Sequence, residues 1–147
     1  GPMCATNLWA VNSAAFTPDF QQFTAERIGV RPEPTDLRIA SSRVRSSSAV
    51  FTLTQNMCDC SSLIGRRTDP PAQNEASADA WLGWLRDLPS HIPHLTRIAV
   101  LRAWSPESES VVPARARGIR IGDLSEETLR DIRDDWLLTI DYPAVNR

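Results

Sequence analysis

Between Cys4 and Trp104 the chain changes its hydrophobic period in a set order, and that order restricts the folds open to it. Cys4 to Val11 reads as a strand. Thr17 then caps a helix with Pro18 in its first turn, Phe16 staples onto Phe20, Phe23 shares their face, and Gly29 ends the helix. Residues 31–35 carry two prolines and read as a loop. Leu37 to Ala40 is a short strand, and the Ser- and Arg-rich run from Ser41 to Ser48 is expected to be a mobile hairpin loop. From Ala49 to Met57, Phe51, Leu53 and Gln55 alternate with Val50, Thr52 and Thr54, a half-buried strand running into Cys58-Asp59-Cys60.

After a polar loop from Gly65 to Gln73, a helix is predicted over Glu75 to Leu88. Its Trp81, Trp84, Leu85 and Leu88 fall at i, i+3, i+4 and i+7, and Pro89 stops it. Arg97 to Trp104 is a strand, with Ile98, Val100 and Arg102 on one side. The order β-α-β-β-α-β is that of a ferredoxin-like core. Beyond it, an acidic exposed segment from Ser105 to Pro113 leads to a strand at Arg117 to Ile121. A last helix follows, started by Asp123 or Ser125, with Leu129, Ile132 and Trp136 on its apolar side; Leu137 to Tyr142 closes as a strand. The expected architecture is therefore α+β. It is an antiparallel sheet with two or three helices on one face, a ferredoxin-like core and a C-terminal β-α-β extension.

Gly1-Pro2 resembles a protease-cleavage remnant, leaving residues 3–147 as a single α+β domain that starts at Met3. A chain of 147 residues buries about 68–70% of its unfolded surface, so it needs neither disulfide nor metal merely to fold. The net charge is −2 and no basic stripe is present, so a nucleic-acid partner is not expected. No apolar run long enough to span a bilayer is present, and a membrane partner is not expected either. All 16 basic residues are Arg, the mark of GC-rich, bacterial-type coding. Without Lys, P-loop and Schiff-base chemistry are excluded.

Three cysteines, an odd number, point away from a disulfide framework and toward a reducing cytoplasm. In the expected sheet, strands one and three are antiparallel neighbours. The start of the first meets the end of the third, and Cys4 meets Cys58 and Cys60 although they are far apart in sequence. Trp104 belongs to the same sheet end, while His91 and His94 fall at the opposite one. Thiolates are soft ligands that select Zn or Cu(I), and two cysteines at i and i+2 of an extended chain can face one ion. The predicted function is thus a small cytoplasmic domain holding Zn or Cu(I) through Cys4, Cys58 and Cys60, with Asp59 competing for a fourth position. An enzymatic role is less expected, because no base is visibly paired with a thiol.

Three rivals stay open. Free cysteines are commonly small buried hydrophobes. The trio can serve thiol redox chemistry, with Cys4 resolving a strained Cys58–Cys60 bond. The chain can also be an interaction module of inhibitor or immunity type, meeting another protein through Asp59, Trp104, Glu107 and Glu109. Asp131, Asp134 and Asp135 read as a solvated face paired with arginines rather than a cation site.

Overall fold

The computed structural model describes residues 4–144. Along the chain run β1 (Ala5–Asn12), α1 (Pro18–Ile28), β2 (Glu33–Pro34), β3 (Arg38–Ile39), β4 (Ser48–Thr52), α2 (Ala78–Asp87), β5 (Arg97–Trp104), β6 (Ser110–Val111), β7 (Arg115–Arg120), α3 (Glu126–Arg130) and β8 (Trp136–Asp141). Six strands form one sheet in the order β2-β4-β1-β5-β8-β7, antiparallel except for the β7·β8 pair. The class is α+β, but the order is not that of a simple ferredoxin-like sheet. β5 is an inner strand, because β8 and β7 continue the sheet beyond it.

Local chemistry explains the two long helices. The Thr17 hydroxyl accepts the Phe20 N–H, Pro18 supplies a preset φ, and Phe16 meets Phe20 with ring centroids 5.7 Å apart. Gly29 ends α1 at φ 88°, a left-handed conformation that suits glycine. Ser77 caps α2 in the same way as Thr17 caps α1. That helix starts three residues later than its periodicity suggests, because Glu75 instead accepts hydrogen bonds from Asn56 and Ser61.

One face of the sheet carries all three helices. Trp9 and Val11 of β1, Phe51 of β4, Ile98 and Val100 of β5 and Leu138 and Ile140 of β8 meet Phe20, Phe23, Trp81, Trp84, Leu85 and Leu129 there. Trp9 stacks on Trp81 at 5.5 Å and meets the edge of Trp84 at 5.1 Å. The opposite face holds Leu8, Ala10, Val50, Ala99, Leu101 and Leu137.

That second face accounts for several departures from the expected elements. Arg38–Ile39 does not join the main sheet. It pairs in parallel with Ser110–Val111, and this small sheet lays Ile39 and Val111 over the second face. The second strand of the main sheet is instead Glu33–Pro34, on an edge where the missing proline N–H costs no ladder bond. Residues 41–48 consequently join strands of different sheets and are not a hairpin; two turns, Val44 N–H to Ser41 O and Ser48 N–H to Arg45 O, carry the chain across.

The C-terminal region also differs. The cap of α3 is Ser125, whose hydroxyl accepts the Thr128 N–H, while Asp123 lies in a preceding 3-10 turn. The helix stops at Arg130, so Trp136 begins β8 rather than extending the helix face. The three aspartates fan out to different partners. Asp131 pairs with Arg67 at 3.5 Å and Asp134 with Arg102 at 3.1 Å, while Asp135, at φ 62°, accepts the Trp104 N–H at 3.1 Å.

Candidate metal centre

The β1·β4 ladder pairs Trp9 with Phe51 and Asn12 with Ser48. Continued at that register, Ala5 would face Gln55. Asp59, four residues further on, stands there instead, its N–H donating to Ala5 O at 2.9 Å. The chain leaves the ladder after Thr52, well short of the expected Met57, because other bonds claim its side chains. Gln55 donates its amide to Ile28 O at the end of α1, and the Thr54 hydroxyl donates to Asp59. This excursion returns Cys58-Asp59-Cys60 alongside the start of β1.

Asp59 turns inward and its neighbours do not. Its carboxylate, on a residue 3% exposed, accepts the Asn7 N–H at 2.6 Å and the Thr54 hydroxyl at 3.0 Å. Cys58 and Cys60 stay half-buried beside Cys4, and all three are free thiols. Their Sγ atoms lie within 4.8 Å of one another. Two backbone devices hold the trio. Ala5 N–H donates to Cys60 Sγ at 3.3 Å. Ser105 binds both backbone groups of Cys4, its hydroxyl accepting the Cys4 N–H at 3.0 Å and its own N–H donating to Cys4 O at 2.8 Å.

Residues 53–77, the segment that carries two of the thiols, are anchored from several sides. Leu63 and Ile64 are buried in the helix-side core. Gly65 N–H donates to Leu129 O, Arg102 donates to Ile64 O, and Arg130 donates to the carbonyls of Arg66 and Asp69. At Gly65, φ is 84° and a Cβ would stand 2.6 Å from Arg102 Cδ, so glycine is required twice over. Arg66 donates to Cys60 O at 3.1 Å, which ties one cation to the backbone of a thiol-bearing residue.

A metal–sulfur bond of about 2.3 Å sets coordinating sulfurs about 3.8–4.0 Å apart in tetrahedral or trigonal geometry. A trio already within 4.8 Å therefore closes on one ion with small side-chain shifts. The structure brings Cys4, Cys58 and Cys60 together and puts Trp104 at the same sheet end, paired with Ala5 and half-buried. The Asp59 carboxylate is instead engaged by Asn7 N–H and the Thr54 hydroxyl, on a residue that is buried. Glu107 and Glu109 are exposed, in a segment tied down where Arg38 N–H donates to Glu109 O at 2.6 Å. His91 lies at the far end of β1, bonded to Asp19 at 3.0 Å and stacked on Phe23, and His94 lines the same cleft.

Sequence reasoning did not reach Ser105. The signal for it is the antiparallel β1·β5 register, which places it opposite Cys4 once Trp104 faces Ala5.

Burial pushes the Asp59 carboxyl above the usual carboxylate range, and the bonds from Asn7 and Thr54 pull back only part of the way. For an acid raised in this way, the stability it contributes is complete below the unfolded value and is lost as pH rises through the folded one. Replacing Asp59 with Asn removes that titration. The Asp59→Asn variant is therefore expected to gain stability relative to the parent between pH 3.5 and 7, as read by urea denaturation at both values. A relative loss over the same interval would mean that hydrogen bonding, not burial, governs the group.

No protein-family model, no curated protein and no solved structure matches the chain. Among the described residues no helix is long and apolar enough to cross a membrane.

Proposed function

We propose that this chain is a small soft-metal-binding domain that holds one Zn or Cu(I) ion through the thiolates of Cys4, Cys58 and Cys60. One observation carries the reading: three sulfurs, one at the start of β1 and two in the segment that follows β4, lie within 4.8 Å of one another. Their half-burial supports it, since an ion there is shielded yet can still exchange. The β2-β4-β1-β5 part of the sheet, taken as a ferredoxin-like half extended by β8 and β7, supplies the geometry that makes them converge. The domain's setting on this reading is the reducing cytosol, where thiols stay available as ligands.

The reading as a protein-interaction module ranks second. Met57 and Val112 are the large apolar side chains exposed among the described residues, and isolated exposed apolar side chains are ordinary surface features. Thiol titration tests the first reading. Without metal, all three cysteines should react with a disulfide reagent. One equivalent of Zn or Cu(I) should protect all three together, because each becomes a ligand of one ion. Protection of fewer than three, or of none, would contradict it.

A further inference from the structure

Resting on that thiolate reading, we propose that the ion is Cu(I), held three-coordinate by Cys4, Cys58 and Cys60, and that Met57 is the first ligand an arriving ion meets. The donor set argues for it. A structural Zn site takes four protein ligands in nearly every case. Among the described residues, the three cysteines are the only group of three or more His, Cys, Asp or Glu side chains that lies this close together. Asp59, the nearest carboxylate in sequence, is committed to Asn7 N–H and the Thr54 hydroxyl. His91 is committed to Asp19 at the opposite sheet end. Three soft donors and no oxygen or nitrogen suit a soft monovalent ion, which accepts a trigonal environment.

Met57 adds an independent observation. It directly precedes Cys58 and is 99% exposed, where a large apolar side chain gains nothing from burial. Its thioether is a neutral, polarisable donor on an unbranched stem. Thioethers share with thiolates the preference for Cu(I). A single thioether binds weakly enough to release the ion to half-buried thiols, of which Cys58 is its neighbour in the chain.

The step is ligand exchange, not redox. Three S–H protons pass to water, three Cu–S bonds form, the donor's thiolates leave the ion, and copper stays Cu(I) throughout. The product carries net charge −2 on the cluster, and the Arg66 guanidinium is bonded to the backbone carbonyl of one ligand residue, Cys60.

The test is anaerobic competition. The reduced full chain is offered equal Zn and Cu(I), the latter as its glutathione complex, and is then desalted and analysed by X-ray absorption. Copper bound one to one, with three sulfurs at about 2.3 Å and no lighter scatterer, is the expected result. Bound Zn with copper left on glutathione would overturn the Cu(I) assignment but keep the thiolate site. Neither metal bound would overturn both. Met57→Leu should reach the same occupancy and the same absorption spectrum, but load from glutathione several-fold more slowly. An unchanged loading rate would overturn the role given to Met57.

Discussion

Replacing Cys58 with Ser should weaken metal affinity by more than about 100-fold, since altering even an outer-shell partner of a metal ligand typically costs about 10–100-fold. The hydroxyl is a hard, poorly ionised donor, and two remaining sulfurs leave the ion undercoordinated. Stability of the metal-free protein should change by no more than about 1 kcal/mol, because Cys58 is half-buried and its side chain anchors no other element. The two effects separate in a thermal shift. At a free metal concentration of about 100 times Kd, binding stabilises the parent by about 2.7 kcal/mol. For a chain of this size that corresponds to a rise in Tm of about 5–10 °C. The parent should show this rise and Cys58→Ser should not, while their metal-free curves nearly coincide. Equal shifts in the two proteins would place the ion elsewhere.

The largest loss of stability is expected at Trp84. Its side chain is fully buried, its ring lies edge-on to Trp9 at 5.1 Å and Trp81 at 5.8 Å, and its N–H donates to the Thr24 hydroxyl at 2.9 Å. That hydroxyl in turn donates to Phe20 O, so one indole joins α1, α2 and β1. Trp84→Ala removes the ring, opens a cavity that rigid strands cannot fill, and should cost about 3–5 kcal/mol. Against a typical total of about 5–15 kcal/mol this is a large share. The fall in Tm should be about 6–20 °C, followed by circular dichroism. Metal binding should persist below the lowered midpoint, because the thiols lie at the strand end and not in the tryptophan cluster. A loss under about 1 kcal/mol would mean that the three indoles are not the keystone of the helix-side core.

These two sites also mark what was legible in the sequence. The shared face of Trp81 and Trp84 follows from helical spacing in a segment with a proline stop, and α1 follows from Thr17, Pro18 and Gly29. That the thiols share one sheet end follows from topology, once the strand carrying Cys4 and the strand leading to Cys58 are antiparallel neighbours; their close approach depends on the excursion after Thr52. What escaped depends on partners distant in the chain. The two-residue strand Glu33–Pro34 has no periodicity to detect, and Arg38–Ile39, which falls within the expected strand at Leu37 to Ala40, finds its partner Ser110–Val111 about 70 residues away. The early end of β4 rests on Gln55 reaching Ile28 O, a bond that no local pattern announces. Trp136 sits at helical spacing from Leu129 and Ile132, yet Asp134 bonds Arg102 and Asp135 bonds Trp104 N–H, and these contacts turn the chain into a strand instead.

Asp59 is the instructive case within the site. Residues 58–60 lie in a turn beyond the end of β4, not in a strand, and Asp59 is buried there while its two neighbours stay half-buried. A carboxylate there serves the fold, by accepting from Asn7 N–H and the Thr54 hydroxyl.

The most direct test of the thiolate site is native mass spectrometry with total metal analysis, on protein purified without chelator under reducing conditions. The account predicts one Zn or Cu ion per chain, with the mass lowered by the protons its ligands give up, and an ion that is absent from Cys58→Ser. A metal-free chain that gains no ion when offered one equivalent of either metal, its three thiols titrating freely, would contradict it.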